Sequence, residues 1–246
     1  MLAFITLPLL ALILRASPGS LLTNLRQPGV LQAIAVSLRT TLIATAIIVV
    51  LGAPIALYLA QPKTRTSRIV DTLTDLPSVL PPAVAGVALL VVFGRRGLLG
   101  GMLADLGIQI AFTQAAVILA QVFIASPFYI KSAALGFAAV DSEIQQAAAL
   151  DGASGWQVFR FIIVPLSWPA LISGGLMSWA RALGEFGATI IFAGNFPGRT
   201  QTMPLAIYIG FEVDLDVALT LSVILVGFSF LALMLIKGVL HRDMAM

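Results

Sequence analysis

Long apolar runs separated by short polar stretches set the character of this chain. The runs lie at about Leu2–Leu14, Leu38–Ala60, Val79–Phe93, Ala115–Phe137, Ile162–Ala193 and Val217–Leu240. A helix needs roughly 20 apolar residues to cross a hydrocarbon core. The pattern therefore predicts an all-α membrane protein with six transmembrane helices. Leu2–Leu14 is short, since thirteen residues at about 1.5 Å each reach only about 20 Å. No basic residue precedes that run, so it reads as a retained helix rather than a signal peptide. Val79–Phe93 is also short, and Pro81 and Pro82 suit a helix start better than a helix interior.

The connections differ in kind. Gln61–Leu76 is polar and carries Lys63, Arg65, Arg68, Asp71 and Asp75. Gly94–Thr113 opens with Gly-Arg-Arg-Gly-Leu-Leu-Gly-Gly and predicts a short interfacial helix. Gly194–Pro204 is a loop punctuated by Gly and Pro. Six spans put both termini on one side. With the termini inside, Lys63, Arg65, Arg68, Arg160, Lys237 and Arg242 are inner charges, against Arg15, Arg26, Arg95, Arg96 and Arg199 outside. Six against five does not orient the chain by the positive-inside rule.

Composition narrows the class further. Of 246 residues, 59% are hydrophobic and 10% charged, against about 25% charged in a soluble domain. The net charge of +3 is spread along the chain, with no basic cluster of the kind that binds nucleic acid. There is no Cys, and the one His, His241, lies near the C-terminus. Thiolate chemistry, disulfides and a His-rich metal site are thereby set aside.

One polar segment stands out, Gln145–Leu166, read as QQAAALDGASGWQVFRFIIVPL. Ser142–Leu150 is rich in Ala, Gln and Glu and favours helix. Asp141 or Ser142 can cap its start. Gly152 can supply the left-handed residue that ends it, and Ser154 can cap a second helix running into the membrane. The outcome is a short helix lying across the membrane face, with Ala147 and Ala148 as a small-residue surface.

This segment resembles the signature of type I ABC importer permeases, in which Glu-Ala-Ala is followed after three residues by Gly-Ala and later by Leu-Pro. Ala147, Ala148, Gly152, Ala153, Phe159 and Pro165 fall at that spacing. Gln146 stands where the family has Glu, and Glu143, one turn upstream, is placed to compensate; Val164 replaces the Leu before Pro165. Two further blocks, Leu76–Gly100 and Ala180–Tyr208, resemble the molybdate permeases and, less closely, the sulfate permeases. Together the blocks cover about 75 residues. The resemblance implies a cytoplasmic coupling helix that receives force from an ATP-binding subunit through Glu143, Gln146, Ala147, Ala148, Gly152 and Ala153. That placement orients the chain, with the coupling loop of about 141–165 inside.

Charges within the apolar runs are candidate chemistry, because each costs about 2.5–3.5 kcal/mol to insert and usually faces a cavity or a partner. Arg181 and Glu185, four residues apart, would share one helix face. They form either an oxyanion path or a structural ion pair. Gly174, Ser178 and Ala182, spaced by four, predict close helix packing. Lys131 is expected to snorkel toward the cytoplasmic end of its helix. Asn195, Arg199, Thr200 and Gln201 either contact a binding protein or solvate a turn.

An integral-membrane enzyme is the rival class. There is no His-Glu-x-x-His, no Gly-x-Ser-x-Gly and no phosphate loop of the Gly-x-x-x-x-Gly-Lys-Ser/Thr type. The resemblance therefore implies a permease subunit with no cofactor of its own. Residues 1–31 would form an N-terminal transmembrane helix and outer loop, and 32–242 the permease domain. ATP and Mg would bind two copies of a partner subunit, and an external molybdate-binding protein would deliver molybdate, with tungstate and sulfate as alternatives. The expected assembly is a lipid-embedded homodimer in the cytoplasmic membrane of a prokaryote, with no nucleic-acid partner.

Overall fold

The apolar runs become helices, and the breaks fall where the backbone or a charge requires them. In the computed structural model the described residues are 1–62 and 64–243, and Lys63, counted above among the inner charges, lies outside them. The helices are α1 (Leu2–Arg15), α2 (Pro18–Asn24), α3 (Pro28–Leu59), α4 (Arg65–Val79), α5 (Pro82–Phe93), α6 (Gly100–Asp105), α7 (Gln114–Ala138), α8 (Ser142–Leu150), α9 (Gly155–Val158), α10 (Val164–Leu183), α11 (Gly187–Ala193), α12 (Met203–Val213) and α13 (Leu215–Asp243). A π-helical turn, Phe159–Ile163, joins α9 to α10. No strand occurs among the described residues.

Four stretches are long and apolar enough to cross a membrane: α3, α7, the continuous Gly155–Leu183 and α13. The α4–α5 pair, bent by 113°, makes a fifth if it counts as one span. Pro82 opens α5, as the paired prolines predict. The polar connection before it is helical rather than open, because the Thr64 and Ser67 side chains each accept the other's backbone N–H in a capping box. The expected boundary at 31/32 falls inside α3. The run expected as one helix over Ile162–Ala193 is two, since α10 stops at Leu183 and α11 starts at Gly187.

Two compact units divide the chain. Among the described residues the first comprises 1–43, 81–121 and 183–231, and the second those within 44–80, 122–182 and 232–243. In the first unit α5 lies directly on α11. A Cβ on Gly86 would stand 2.8 Å from the Ala188 carbonyl oxygen, and one on Gly187 would stand 2.7 Å from Pro82 Cβ. Ser37 Oγ accepts from the Met203 N–H at 2.7 Å and so satisfies a donor at the start of α12. Asn24 donates to Thr220 Oγ1 at 3.0 Å in the interior.

The second unit is built on α7 and α10. Ser178 Oγ donates to the Ala125 carbonyl at 2.7 Å, Ser132 Oγ to that of Ala170 at 2.7 Å, and Ser167 Oγ to that of Gly136 at 3.0 Å. Residue numbers rise along one helix as they fall along the other, so the two run antiparallel. The interface is made of small residues, as the Gly174, Ser178, Ala182 spacing predicts. A Cβ on Gly136 would lie 2.4 Å from Ala170 Cβ, and one on Gly174 would lie 2.7 Å from Ser132 Cβ. Around this seam Ile48, Ala56, Tyr129, Ile130, Ala133, Phe137, Val158, Ile163 and Ala182 form a core.

Lys131 is paired with two carboxylates. Its ammonium is held by Asp71 and by Asp75, the latter at 2.8 Å, both on α4. The two carboxylates are one helical turn apart and face α7 together. Each partner keeps a third or more of its side chain exposed, so the triad fixes where α4 sits more than it stabilises the fold.

The seam gives a direct test. Gly136→Val should lower the melting temperature in detergent, with overpacking costing about 1–3 kcal/mol. Gly175→Ala is the control, because its Cβ meets nothing nearer than Val49 Cγ2 at 4.0 Å. Equal melting temperatures for the two variants would contradict the close-packed seam.

Candidate functional site

The polar segment forms the two-limbed structure its residues predict. Asp141 caps α8, its Oδ1 accepting from the Glu143 N–H at 2.8 Å. At the other end the Ala153 N–H donates to the Ala148 carbonyl at 3.0 Å and the Gly152 N–H to the Ala149 carbonyl at 3.1 Å. That pair of bonds is the Schellman arrangement, with Gly152 at φ +88° as its left-handed residue. Ser154 and Gln157 then make a capping box at the start of α9. Every predicted capping role in this segment is filled.

The second limb widens before it enters the membrane span. The Val164 N–H donates five residues back, to the Phe159 carbonyl. Pro165 follows and has no N–H to give. A π-turn placed there lets the chain pass the proline without ending the helix. Phe159 clasps the limb to α7, its ring 6.0 Å from that of Phe137 and 5.5 Å from that of Trp156.

The candidate coupling residues divide by exposure. Glu143, Gln146, Ala147 and Gly152 are exposed, whereas Ala148 and Ala153 are partly buried and pack against the core. The small-residue surface expected from Ala147 and Ala148 is thus split, one alanine facing out and the other in. No residue of α8 is buried. Leu150 is 89% exposed and Ile144 47%, so the outward face of α8 is apolar at two points and polar at Glu143 and Gln146. Beside it lies a cavity of about 540 Å³, lined in part by Gln61, Pro62, Phe137, Gln145 and Gln146.

Arg181 and Glu185 do not lie on one helix. Arg181 is in the last turn of α10 and half-buried. Glu185 lies beyond the end of that helix, so the shared helix face expected from a spacing of four does not exist. Glu185 is 1% exposed and accepts from the Ala188 N–H at 2.8 Å, which places a carboxylate at the start of α11. The flanking Gly184 and Gly187 are the sequence signal of that break.

Two features escaped the sequence reading. Asp71 and Asp75 partner Lys131, which their spacing of four and a lone lysine in an apolar run could have suggested. Arg39 is exposed on α3, with no carboxylate within ion-pair distance among the described residues. Of the outer-loop candidates, Thr200 holds a turn, its Oγ1 accepting from the Phe196 N–H at 3.0 Å, while Arg199 is exposed and Asn195 and Gln201 are half-buried.

Comparison with known proteins gives this geometry its context. Residues 48–244 match the family described as binding-protein-dependent transport system inner membrane component. The chain is 40% identical over 223 residues to the molybdenum transport system permease protein ModB of Mycobacterium tuberculosis, covering 91% of this chain and 84% of that one. It is 35% identical over 206 residues to the probable sulfate transport system permease protein cysT of Chlorokybus atmophyticus, covering 82% and 72%. Its fold resembles a chain in the crystal structure of a bacterial ABC transporter involved in the import of the acidic polysaccharide alginate, with TM-score 0.74 at 14% identity over 100% of this chain and 91% of that one. This multi-pass membrane chain therefore belongs to the family of binding-protein-dependent transport system inner membrane components, with the fold of the type I ABC importer permeases.

Proposed function

We propose that the chain is the membrane subunit of an ATP-driven importer for molybdate, and that α8 is the element through which ATP hydrolysis is felt. The observation that carries this reading is the exposed, doubly capped α8, linked by the Gly152 turn to α9, which runs without a break into a spanning helix. A short helix with both ends capped moves as one body, and the π-turn passes that movement into α10. Two ATP-binding subunits would seat on α8 around Gln146, Ala147, Ile144 and Leu150, and a binding protein would deliver the anion from outside. ATP and Mg belong to those partners, since this sequence has no phosphate loop. The permease acts as a homodimer, its six crossings per chain being α1, α3, the α4–α5 pair, α7, α9–α10 and α13.

Transport by alternating access requires no covalent chemistry of this chain. Molybdate, tungstate and sulfate are all tetrahedral dianions. The relative named for sulfate supports sulfate as a second reading, and the choice among the three rests with the binding protein. Purified permease, reconstituted with its ATPase and binding protein, should accumulate molybdate in vesicles only when ATP is present on the coupling side. Accumulation without ATP would end this reading.

Three outcomes test the residues. A Cβ on Gly152 would meet nothing within 4 Å, so substitution there acts on the backbone alone. Gly152→Val should cost about 1–2 kcal/mol in the left-handed conformation and separate ATP hydrolysis from transport. Gly152→Asn, which tolerates that conformation, should keep most coupling. If both variants couple as the parent does, α8 does not transmit the stroke.

Arg181 and Glu185 call for a double-mutant cycle on melting temperature and transport. As a structural pair, Arg181→Ala and Glu185→Ala should each destabilise, with coupling above about 0.5 kcal/mol. Additive stabilities, with transport lost through Arg181 alone, would instead make Arg181 a pathway residue.

Arg39 borders the outer part of the anion route in this reading, because an unpaired cation on a spanning helix is costly in lipid. The chain has no Cys, so Arg39→Cys carries a single thiol. That thiol should react with a membrane-impermeant anionic thiosulfonate, and saturating molybdate should slow the reaction. A thiol that stays unreactive faces lipid and removes Arg39 from the route.

A further inference from the structure

The Gly-Arg-Arg-Gly segment has no part in the coupling geometry, yet its backbone is built to a tight specification. The Gly97 N–H donates to the Gly94 carbonyl at 2.8 Å, Leu98 to Val91 at 2.9 Å, Leu99 to Val92 at 2.9 Å and Gly100 to Gly97 at 3.0 Å. The glycines permit this folding-back of chain onto the end of α5. A Cβ on Gly97 would lie 2.5 Å from the Val91 carbonyl oxygen, and one on Gly100 would lie 2.2 Å from that of Gly94. The fold-back leaves Arg95 and Arg96 exposed at the lip of the turn.

Beneath Arg95 is a pocket of about 350 Å³, walled by Phe93, Leu103, Ile108, Ile110 and Ala111. The Arg95 guanidinium spans its edge and donates to Gln109 Oε1 at 3.2 Å. That acceptor is neutral, so it orients the guanidinium without cancelling its charge. Asp105 shares the loop, but no carboxylate lies within ion-pair distance of Arg95 or Arg96 among the described residues. In the same segment, outside the pocket lining, Leu98 is 81% exposed, Met102 62% and Leu106 67%. The segment links α5 to the start of α7, a helix long and apolar enough to span a membrane.

We propose that this segment is a binding site for an anionic phospholipid. The phosphodiester pairs with Arg95, whose planar donors match phosphate oxygens two at a time, and Arg96 adds a second positive charge. The glycerol end and upper acyl carbons occupy the apolar pocket and cover Leu98, Met102 and Leu106. Charge and apolar area are presented together, which a lipid satisfies and a small free anion does not. The site shares no residue with α8 and does not depend on which anion is transported.

The test is native mass spectrometry of the permease taken from vesicles holding equal phosphatidylglycerol and phosphatidylcholine. The parent should retain phosphatidylglycerol about thirtyfold over phosphatidylcholine, the size expected of two interfacial arginines at about 1 kcal/mol each. R95Q/R96Q should abolish the preference, whereas Arg68→Gln, on the exposed face of α4, should keep it. Met102→Gln with Leu106→Gln should reduce retention of both lipids. If R95Q/R96Q does not fold, the parent is compared at low and high salt, where the preference should fall as the charges are screened.

Three results would overturn the proposal. One is equal retention of the two lipids by the parent. Another is displacement of bound phosphatidylglycerol by millimolar molybdate or inorganic phosphate, which would assign the arginines to a free anion. The third is an unchanged lipid preference in R95Q/R96Q accompanied by loss of binding-protein association, which would give this face to a protein partner.

Discussion

Backbone-close contact between α7 and α10 is the constraint on which the second unit depends. Lipid offers no hydrophobic drive to press two apolar helices together, so packing and hydrogen bonds must do it. Here small residues bring the helices within reach, and three serine hydroxyls reach across to carbonyls of the other helix. Each bond needs the short separation that Gly136 and Gly174 permit. Glycine spacing and hydroxyl bonding are therefore one device.

The capped polar segment that contains α8 inherits its position from that seam. It leaves the end of α7 and returns into α10, so the antiparallel pair fixes both of its ends. Ala148, Ala153, Val158 and Phe159 rest on the same core, and the Phe137–Phe159 contact closes the corner. The outward face of α8 can then stay free of internal contacts, as a surface that meets another protein must. The coupling role proposed for α8 requires a stiff body and a firm attachment. The caps at Asp141, Gly152 and Ser154 supply stiffness, and the seam supplies attachment.

Charges in the apolar spans sort by what neutralises them. Lys131 is met by two aspartates on α4. Glu185 is met by a backbone N–H at the start of a short helix. Arg95 is met only by a neutral amide, and Arg39 has no carboxylate near it among the described residues. Lys131 and Glu185 thus have partners in the fold, whereas no carboxylate lies within ion-pair distance of Arg95 or Arg39 among the described residues. Formal charge in the sequence does not distinguish these cases, because the difference lies in the neighbour.

The sequence by itself determined the helical class, most of the membrane-crossing runs and the whole capped geometry of 141–157. Those properties are local: hydrophobic run length, a side chain three residues from the N–H it accepts, a glycine where φ must be positive. The reading failed where an outcome depended on residues distant in sequence or on a competition between breaks. Ile162–Ala193 looks continuous by hydropathy, yet Gly184 and Gly187 end one helix and begin another around Glu185. Lys131 looks like a lone lysine in an apolar run until α4 brings two carboxylates to it from 60 and 56 residues away. The pocket under Arg95 exists only because the chain folds back on α5. Tertiary structure decided these points because partner choice for a charge, and the closure of a cavity, are set by which helices lie side by side.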